Sequence, residues 1–288
     1  MANSAASNPI DARPWTFYAL GTLFTIYLLF LYGPMLVIYI LSFQGPEGGV
    51  TFPMVGVSLE WFRDIVRKGQ MANIPPAFGR SMLLAALVSL LTVSMSVAGA
   101  LAFRRRFPGS AMVFYIAIAS LVMPGLLVGF GIGLGFQFLG LQPSPFTSAL
   151  GAHLTWTLPF GLLAMFAVVN RFNRSWEEAA TDLGASSFQR LVYVTLPILL
   201  PGILGVALSA FTLSYDEYAR TTLTIGSSNT QPLEIYALIS SATSPTLFAI
   251  GTLTTLVSLM LIALALVLSS RLNRRRHGTA RVETRLEA

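Results

Sequence analysis

The 288-residue chain contains no cysteine and only two histidines, His153 and His277. Disulfides and thiolate-bound metals are thereby excluded, and a His-rich metal site lacks ligands, so no metal is expected. Charge is scarce as well. Only 10% of the residues are Asp, Glu, Lys or Arg, whereas a soluble domain carries about 25%. With 54% hydrophobic residues and a mean hydropathy of +0.69, the chain has too little polar surface to cover itself in water. The phosphate-binding pattern G-x-x-x-x-G-K-[ST] is absent, so ATP is not held in that way. No Ser/His/Asp or paired-carboxylate arrangement points to catalysis. The chain is therefore not expected to be an enzyme or to need a cofactor. A pI near 10 does not argue for nucleic acid here, because the basic residues sit where membrane topology puts them.

The few charges are clustered, and charge-free runs cover 14–46, 81–103, 107–170, 191–215 and 235–270. Crossing the hydrocarbon core takes roughly 20 apolar residues. Four runs hold one span each. The 107–170 run holds two, because the polar stretch from Gly140 to Ser148 interrupts it. The expectation is an all-α polytopic membrane protein with six spans, at 15–43, 80–103, 110–138, 149–170, 196–215 and 246–270. A β-barrel would show alternating segments of about ten residues; these runs are longer, apolar on all sides and rich in Leu and Ala. The first run is 33 residues long, against about 7–15 for a signal-peptide core, so an uncleaved first helix is expected. The expected organisation is a tail at 1–14, a six-helix domain at 15–270 and a basic tail at 271–288.

Lys and Arg concentrate on the cytoplasmic side. With the N-terminus inside, the inner segments carry Arg13, Arg104–Arg106, Arg171, Arg174, Arg190 and six arginines of the C-terminal tail, 13 in all. The outer segments carry five: Arg63, Arg67, Lys68, Arg80 and Arg220. Both termini are expected to be cytoplasmic. The blocks Arg104–Arg106 and Arg274–Arg276 read as topology signals in contact with lipid headgroups.

The most informative inner segment is 175–201, SWEEAATDLGASSFQRLVYVTLPILLP. Ser175 followed by Glu178 forms a capping-box pattern, which predicts a helix from Trp176. Gly184 stands where a left-handed cap ends it. Trp176, Ala179, Ala180 and Leu183 fall on one apolar face, with Glu177, Thr181 and Asp182 off it. Ser186 and Gln189 form a second capping box, predicting a helix that runs toward Pro197 and kinks there or enters the fifth span. A short capped helix outside the bilayer suits docking to a partner surface, or else lying on lipid headgroups.

The segment resembles the EAA loop of ABC importer permeases. The pattern is met by Glu178-Ala179-Ala180, Gly184 three residues on, Val194 after nine more, and Leu196-Pro197. Val194 stands where Ile is common. The resemblance implies a type I (MetI-like) permease fold, and a coupling helix that transmits closure of a separate ATPase dimer. It assigns this coupling to Glu177, Glu178, Ala179, Ala180, Asp182, Gly184, Leu196 and Pro197. Within that set, Glu178, Ala179, Ala180 and Gly184 make the ATPase contact. Implied partners are two ATPase subunits, a second homologous permease, an extracytoplasmic solute-binding protein and membrane lipid.

Further segments resemble the polyamine branch: Ser58-Leu59-Glu60-Trp61-Phe62, Ser214-Tyr215-Asp216-Glu217 and Pro232-Leu233-Glu234-Ile235-Tyr236. Gln231 and Thr246 depart from that branch's pattern. The resemblance spans about 58–270, with the family core at about 77–270. A polyamine or related amine is the implied solute; related branches move opines, aminophosphonates or ferric iron.

Intramembrane charges are functional candidates, and only Asp216 and Glu217, at the outer end of span five, qualify. With Tyr215 they can stage an ammonium-bearing solute, the ring adding cation–π attraction; the alternative is a structural pair with Arg220. Gly125/Gly129 and Gly131/Gly135 allow close helix packing. Pro34, Pro124 and Pro159 lie inside spans. His153 reads as a satisfied structural residue. Outer residues 44–79, with a short helix from Glu60 to Lys68 and a break at Pro75-Pro76, offer a landing surface for a binding protein. An ion-coupled transporter or channel stays open as another class, although no internal repeat or midplane carboxylate is visible. A purely structural subunit of another complex is the third possibility.

Overall fold

The computed structural model describes residues 14–66, 73–105, 107–241 and 245–257, with Leu259, Met260, Ala263 and Val267 beyond them. The N-terminal tail, Arg67, Lys68, Arg106, His277, most of 258–270 and the tail at 271–288 lie outside the described residues. Two compact units are present: Met1–Ile65 with Thr243–Thr254, and Val66–Ala242 with Thr255–Ala288.

In the first unit, α1 (Trp15–Leu41) is the first expected span; Pro34 lies inside it and Leu41 is its one buried residue. An apolar helix that buries so little of itself is built to face lipid or another chain. The segment after it folds around one buried amide. Gln44 donates from Nε2 to the Gly49 carbonyl (3.0 Å), and its Oε1 accepts from the Val55 N–H (2.9 Å). Its own carbonyl accepts from Trp61 Nε1 at 2.7 Å. Helix α2 (Glu60–Val66) follows.

In the second unit, α3 (Ile74–Ala102), α6 (Leu150–Asn170) and α9 (Leu196–Tyr215) pack on one another. Val97 and Ala100 of α3, Met165 and Val169 of α6, and Leu199 and Val206 of α9 form their core. Small polar groups tie the same interfaces: the Thr92 and Thr157 hydroxyls are 2.9 Å apart, and Ser89 Oγ donates to the Ala207 carbonyl at 2.7 Å. Pro75-Pro76 does not break this region. It occupies the first turn of α3, where no intrahelical N–H partner is lost, and the second span starts six residues earlier than expected.

The third expected span is not one straight helix. Helices α4 (Ser110–Val122) and α5 (Gly125–Phe138) meet at 108°. Met123 is extended (ψ 130°) ahead of Pro124, the conformation that proline imposes on the preceding residue. Gly125, Gly129 and Gly133 of α5 lie against 220–223. A Cβ on Gly129 would stand 2.7 Å from the Arg220 carbonyl oxygen, so only glycine permits this approach. Gly131 and Gly135 face open space; of the two expected glycine pairs, only 125/129 packs within the described residues.

A π-helical turn, Pro145–Ala149, leads into α6. Of the two outcomes expected at Pro197, a kink or entry into the fifth span, the chain takes the second: Leu191–Thr195 forms a second π turn and Pro197 falls in the first turn of α9. Between these lie α7 (Ser175–Asp182) and α8 (Ser187–Arg190), and α10 (Gln231–Ser241) follows α9. Among the described residues four helices are long and apolar enough to cross a membrane, or five if the bent α4–α5 pair is one span. The sixth is represented by α11 (Thr246–Val257), and most of the rest of its expected length lies outside the described residues.

Candidate coupling site and pathway residues

Helix α7 ends as its sequence dictates. Gly184 has φ +85°. Its N–H donates to the Thr181 carbonyl (2.8 Å), and the Ala185 N–H donates to that of Ala180 (3.0 Å). This is the paired bonding of a Schellman cap. A Cβ at Gly184 would meet nothing within 4 Å, so glycine is required here by the backbone conformation and not by a neighbour. The second capping box forms: the Gln189 N–H donates to Ser186 Oγ (3.3 Å) and the Ser186 N–H donates to Gln189 Oε1 (2.8 Å). The first does not. Ser175 is already inside α7, and Asn173 Oδ1 accepts its N–H at 3.1 Å. The N-cap position is held by Arg174, whose side chain makes no capping bond.

The faces of α7 divide sharply. Trp176 is 61% and Leu183 88% exposed, and Glu178, Ala179, Asp182 and Gly184 are exposed with them, while Ala180 is half-buried. Glu177 turns inward. Its two carboxylate oxygens accept from Arg104 Nη1 and Nη2 at 2.8 and 2.9 Å, and Oε1 also accepts from Thr195 Oγ1 at 2.8 Å. The Arg104 guanidinium lies 5.2 Å above the Phe172 ring centroid. One carboxylate thus fastens α7 to the chain leaving α3 and to the turn that enters α9. Leu196 and Pro197 are half-buried at the start of α9. The Arg104–Glu177 link joins residues 73 positions apart, which no local spacing reveals.

The Arg104 hydrogen bonds hold the Glu177 carboxyl below its ordinary value of 4.5 against a partial burial that raises it; the Thr195 hydroxyl and the Arg104 and Arg190 charges add to the lowering. The contribution is therefore fully present above pH 4.5 and is lost only as pH falls through the lowered value. Hydrogen exchange at 175–184, corrected for intrinsic rate, is expected to stay constant from pH 7 to 5 and to rise below about pH 4. Loss of protection already at pH 6 would remove this carboxylate as the fastener.

At the other end of α9 the three pathway candidates separate. Tyr215 is buried; its hydroxyl donates to Gln231 Oε1 and its ring stacks on Phe211 (6.1 Å). Glu217 is buried with Arg220. It accepts from the Arg220 backbone N–H (2.9 Å) and from Nη1 (3.2 Å), while the guanidinium covers the Trp156 ring at 5.0 Å. Asp216 alone is exposed. His153 is buried with its ring nitrogens 2.7 Å from Ser214 Oγ and 2.8 Å from Thr221 Oγ1, a satisfied structural histidine.

Residues 91–277 match the family model described as binding-protein-dependent transport system inner membrane component. The spermidine/putrescine transport system permease protein PotC of Escherichia coli (strain K12) is 26% identical over 254 residues, 88% of this chain and 92% of the relative. The putrescine transport system permease protein PotI of the same organism is 29% identical, over 85% of this chain and 87% of its own. Among solved structures, a bacterial ABC transporter involved in the import of the acidic polysaccharide alginate matches with a TM-score of 0.69 at 18% identity, covering 89% of this chain and 96% of that chain. A bacterial alginate ABC transporter in complex with alginate pentasaccharide-bound periplasmic protein matches at 0.67 and 19%, covering 89% and 94%. At such identities these two speak for the fold alone. The family model covers well over half of the chain, and the chain therefore belongs to the binding-protein-dependent transport system inner membrane components, as a permease subunit of an ABC importer.

Proposed function

We propose that the chain is one of two similar permease subunits in an amine importer of the polyamine type. A separate ATPase subunit takes the exposed face of α7, and an extracytoplasmic binding protein delivers solute at the opposite side. Both termini lie in the cytoplasm with α7. The observation that carries this reading is the division of α7: Trp176, Ala179 and Leu183 are exposed among the described residues, while Glu177 is tied inward. ATP binding draws the two α7 helices together. The bidentate pair passes that displacement to α3 and the Thr195 contact passes it to α9. Because α3, α6 and α9 share one core, they move as a block and open the pathway outward; hydrolysis resets it. Two carboxylate oxygens on one guanidinium resist rotation as well as separation, which a single point charge does not.

The solute class rests on the relatives' names and on Asp216, an exposed carboxylate at the outer end of α9. Tyr218, two residues on, packs against Tyr236 with ring centroids 5.0 Å apart, and such faces attract ammonium groups. Reconstitution with the co-encoded ATPase, second permease and binding protein is expected to give ATP-dependent uptake of labelled putrescine or spermidine. Asp216→Asn is expected to raise KM by about 10-fold or more, because a hydrogen bond to a charged group contributes about 1.5–3 kcal/mol. ATP-driven uptake of a non-amine solute alone would refute the assignment.

A further inference from the structure

A cavity of about 370 Å³ opens beside α7, with Arg104, Arg105, Arg174 and Arg190 in its wall and Glu177 as its one carboxylate. The Glu177 charge is taken up by Arg104. The other guanidiniums make hydrogen bonds only to neutral groups among the described residues, and Arg190 adds no more than a through-space attraction to Glu177. Arg174 donates to the Arg104 carbonyl (3.3 Å), and Arg190 donates to the Thr181 and Ser187 hydroxyls (2.8 and 3.0 Å). Arg105 is exposed. Four cations share the cavity with a single carboxylate, so the surplus positive charges repel one another, and a planar guanidinium matches phosphate oxygens two at a time. Leu101, in the last turn of α3, and Leu191, where the helix entering α9 begins, line the same cavity. The cationic wall therefore lies at the ends of two apolar helices of membrane-spanning length, where lipid phosphates are expected.

We propose that this cavity binds a phosphate group, and that the phosphate is the headgroup of an anionic phospholipid. Its oxygens reach Arg105, Arg174 and Arg190 together, while the acyl chains pass along the Leu101 and Leu191 side. A headgroup held there ties the end of α3 to both helices of the coupling loop. It adds a second fastening beside the Arg104–Glu177 pair, set by the lipid composition of the membrane.

The test uses the purified full chain in an uncharged detergent. Its melting temperature is measured with added phosphatidylglycerol, with phosphatidylcholine, and with inorganic phosphate alone. Phosphatidylglycerol is expected to raise it and phosphatidylcholine to leave it unchanged, with at least half of the rise lost in Arg105→Gln/Arg174→Gln. Equal effects of the two lipids, or a full rise in the double variant, would overturn the proposal. Inorganic phosphate at about 1 mM matching phosphatidylglycerol would overturn the lipid assignment in favour of soluble phosphate. Photoactivatable phosphatidylglycerol on the unaltered chain gives an independent reading if the variant fails to fold. Adducts at 101–105 or 187–195 support the site, and adducts confined to other segments refute it.

Discussion

Glu217→Gln is expected to lower the stability of the solubilised permease by about 3–5 kcal/mol, the cost of removing one partner of a buried ion pair. The Glu217 and Arg220 side chains are each only 7% exposed. Arg220 also lies against the α5 glycine face, where a Cβ on Gly125 would come within 2.8 Å of its Nη1. The guanidinium has no room to swing toward water, so loss of the carboxylate strands its charge. The variant is expected to melt earlier and to lose most of its uptake. Removing both charges is a different matter, since apolar replacement of a whole buried pair is often neutral. Glu217→Gln/Arg220→Met is therefore expected to recover most of the lost melting temperature. If uptake recovers with it, the pair is a structural clasp between α5 and the end of α9. If stability recovers while uptake stays absent, Glu217 serves the solute directly, and Asp216 is not the only acidic contact.

The second large effect is expected at Gly184. Gly184→Asp should abolish ATP-driven uptake in proteoliposomes while leaving membrane insertion intact. The backbone cost is modest: a left-handed residue with a side chain costs about 1–2 kcal/mol, and Asp is among the side chains that tolerate it best. No atom of this chain stands in the way. On the proposed function the loss comes from outside the chain, where a new carboxylate would protrude from the exposed end of α7 toward the ATPase subunit. Gly184→Ala separates the two contributions, because it carries the backbone cost without the charge or the reach. It is expected to keep a measurable fraction of uptake. Equal and complete loss in both variants would instead place the defect in the fold of the loop, and unchanged uptake in Gly184→Asp would remove Gly184 from the interface.

Much of the coupling loop is legible locally because its determinants are local. The Schellman turn at Gly184 and the Ser186–Gln189 box involve groups within a few residues, and their chemistry leaves few alternatives. The apolar runs likewise locate α1, α3, α6 and α9, since crossing a membrane demands continuous length. Legibility fails where a choice depends on distant partners or on competition between neighbours. Ser175 carries the local signal of an N-cap, yet α7 begins one residue earlier, with Arg174 at the N-cap. Pro124 inside an apolar run is compatible with a mild kink or with the observed 108° bend; the close approach of α5 to 220–223 accompanies the latter. The inward turn of Glu177 depends on Arg104, whose position is set by α3. The resemblance includes Glu177 in the coupling set without placing it among the ATPase contacts; its bonds to Arg104 and Thr195 turn it toward the membrane helices, and it is these contacts that the proposed force transfer rests on.

The most direct test of the account places a thiol on the outward face of α7. The chain contains no cysteine, so Leu183→Cys supplies a unique site at an 88% exposed position. The full complex is purified from native membranes in mild detergent, treated with a short thiol-to-amine cross-linker, and the adducts are identified by mass spectrometry. An adduct with a co-purifying ATPase subunit is expected, with a yield that changes on adding ATP. A permease that purifies without any ATPase, or an adduct formed only with lipid or with another copy of this chain, would contradict it.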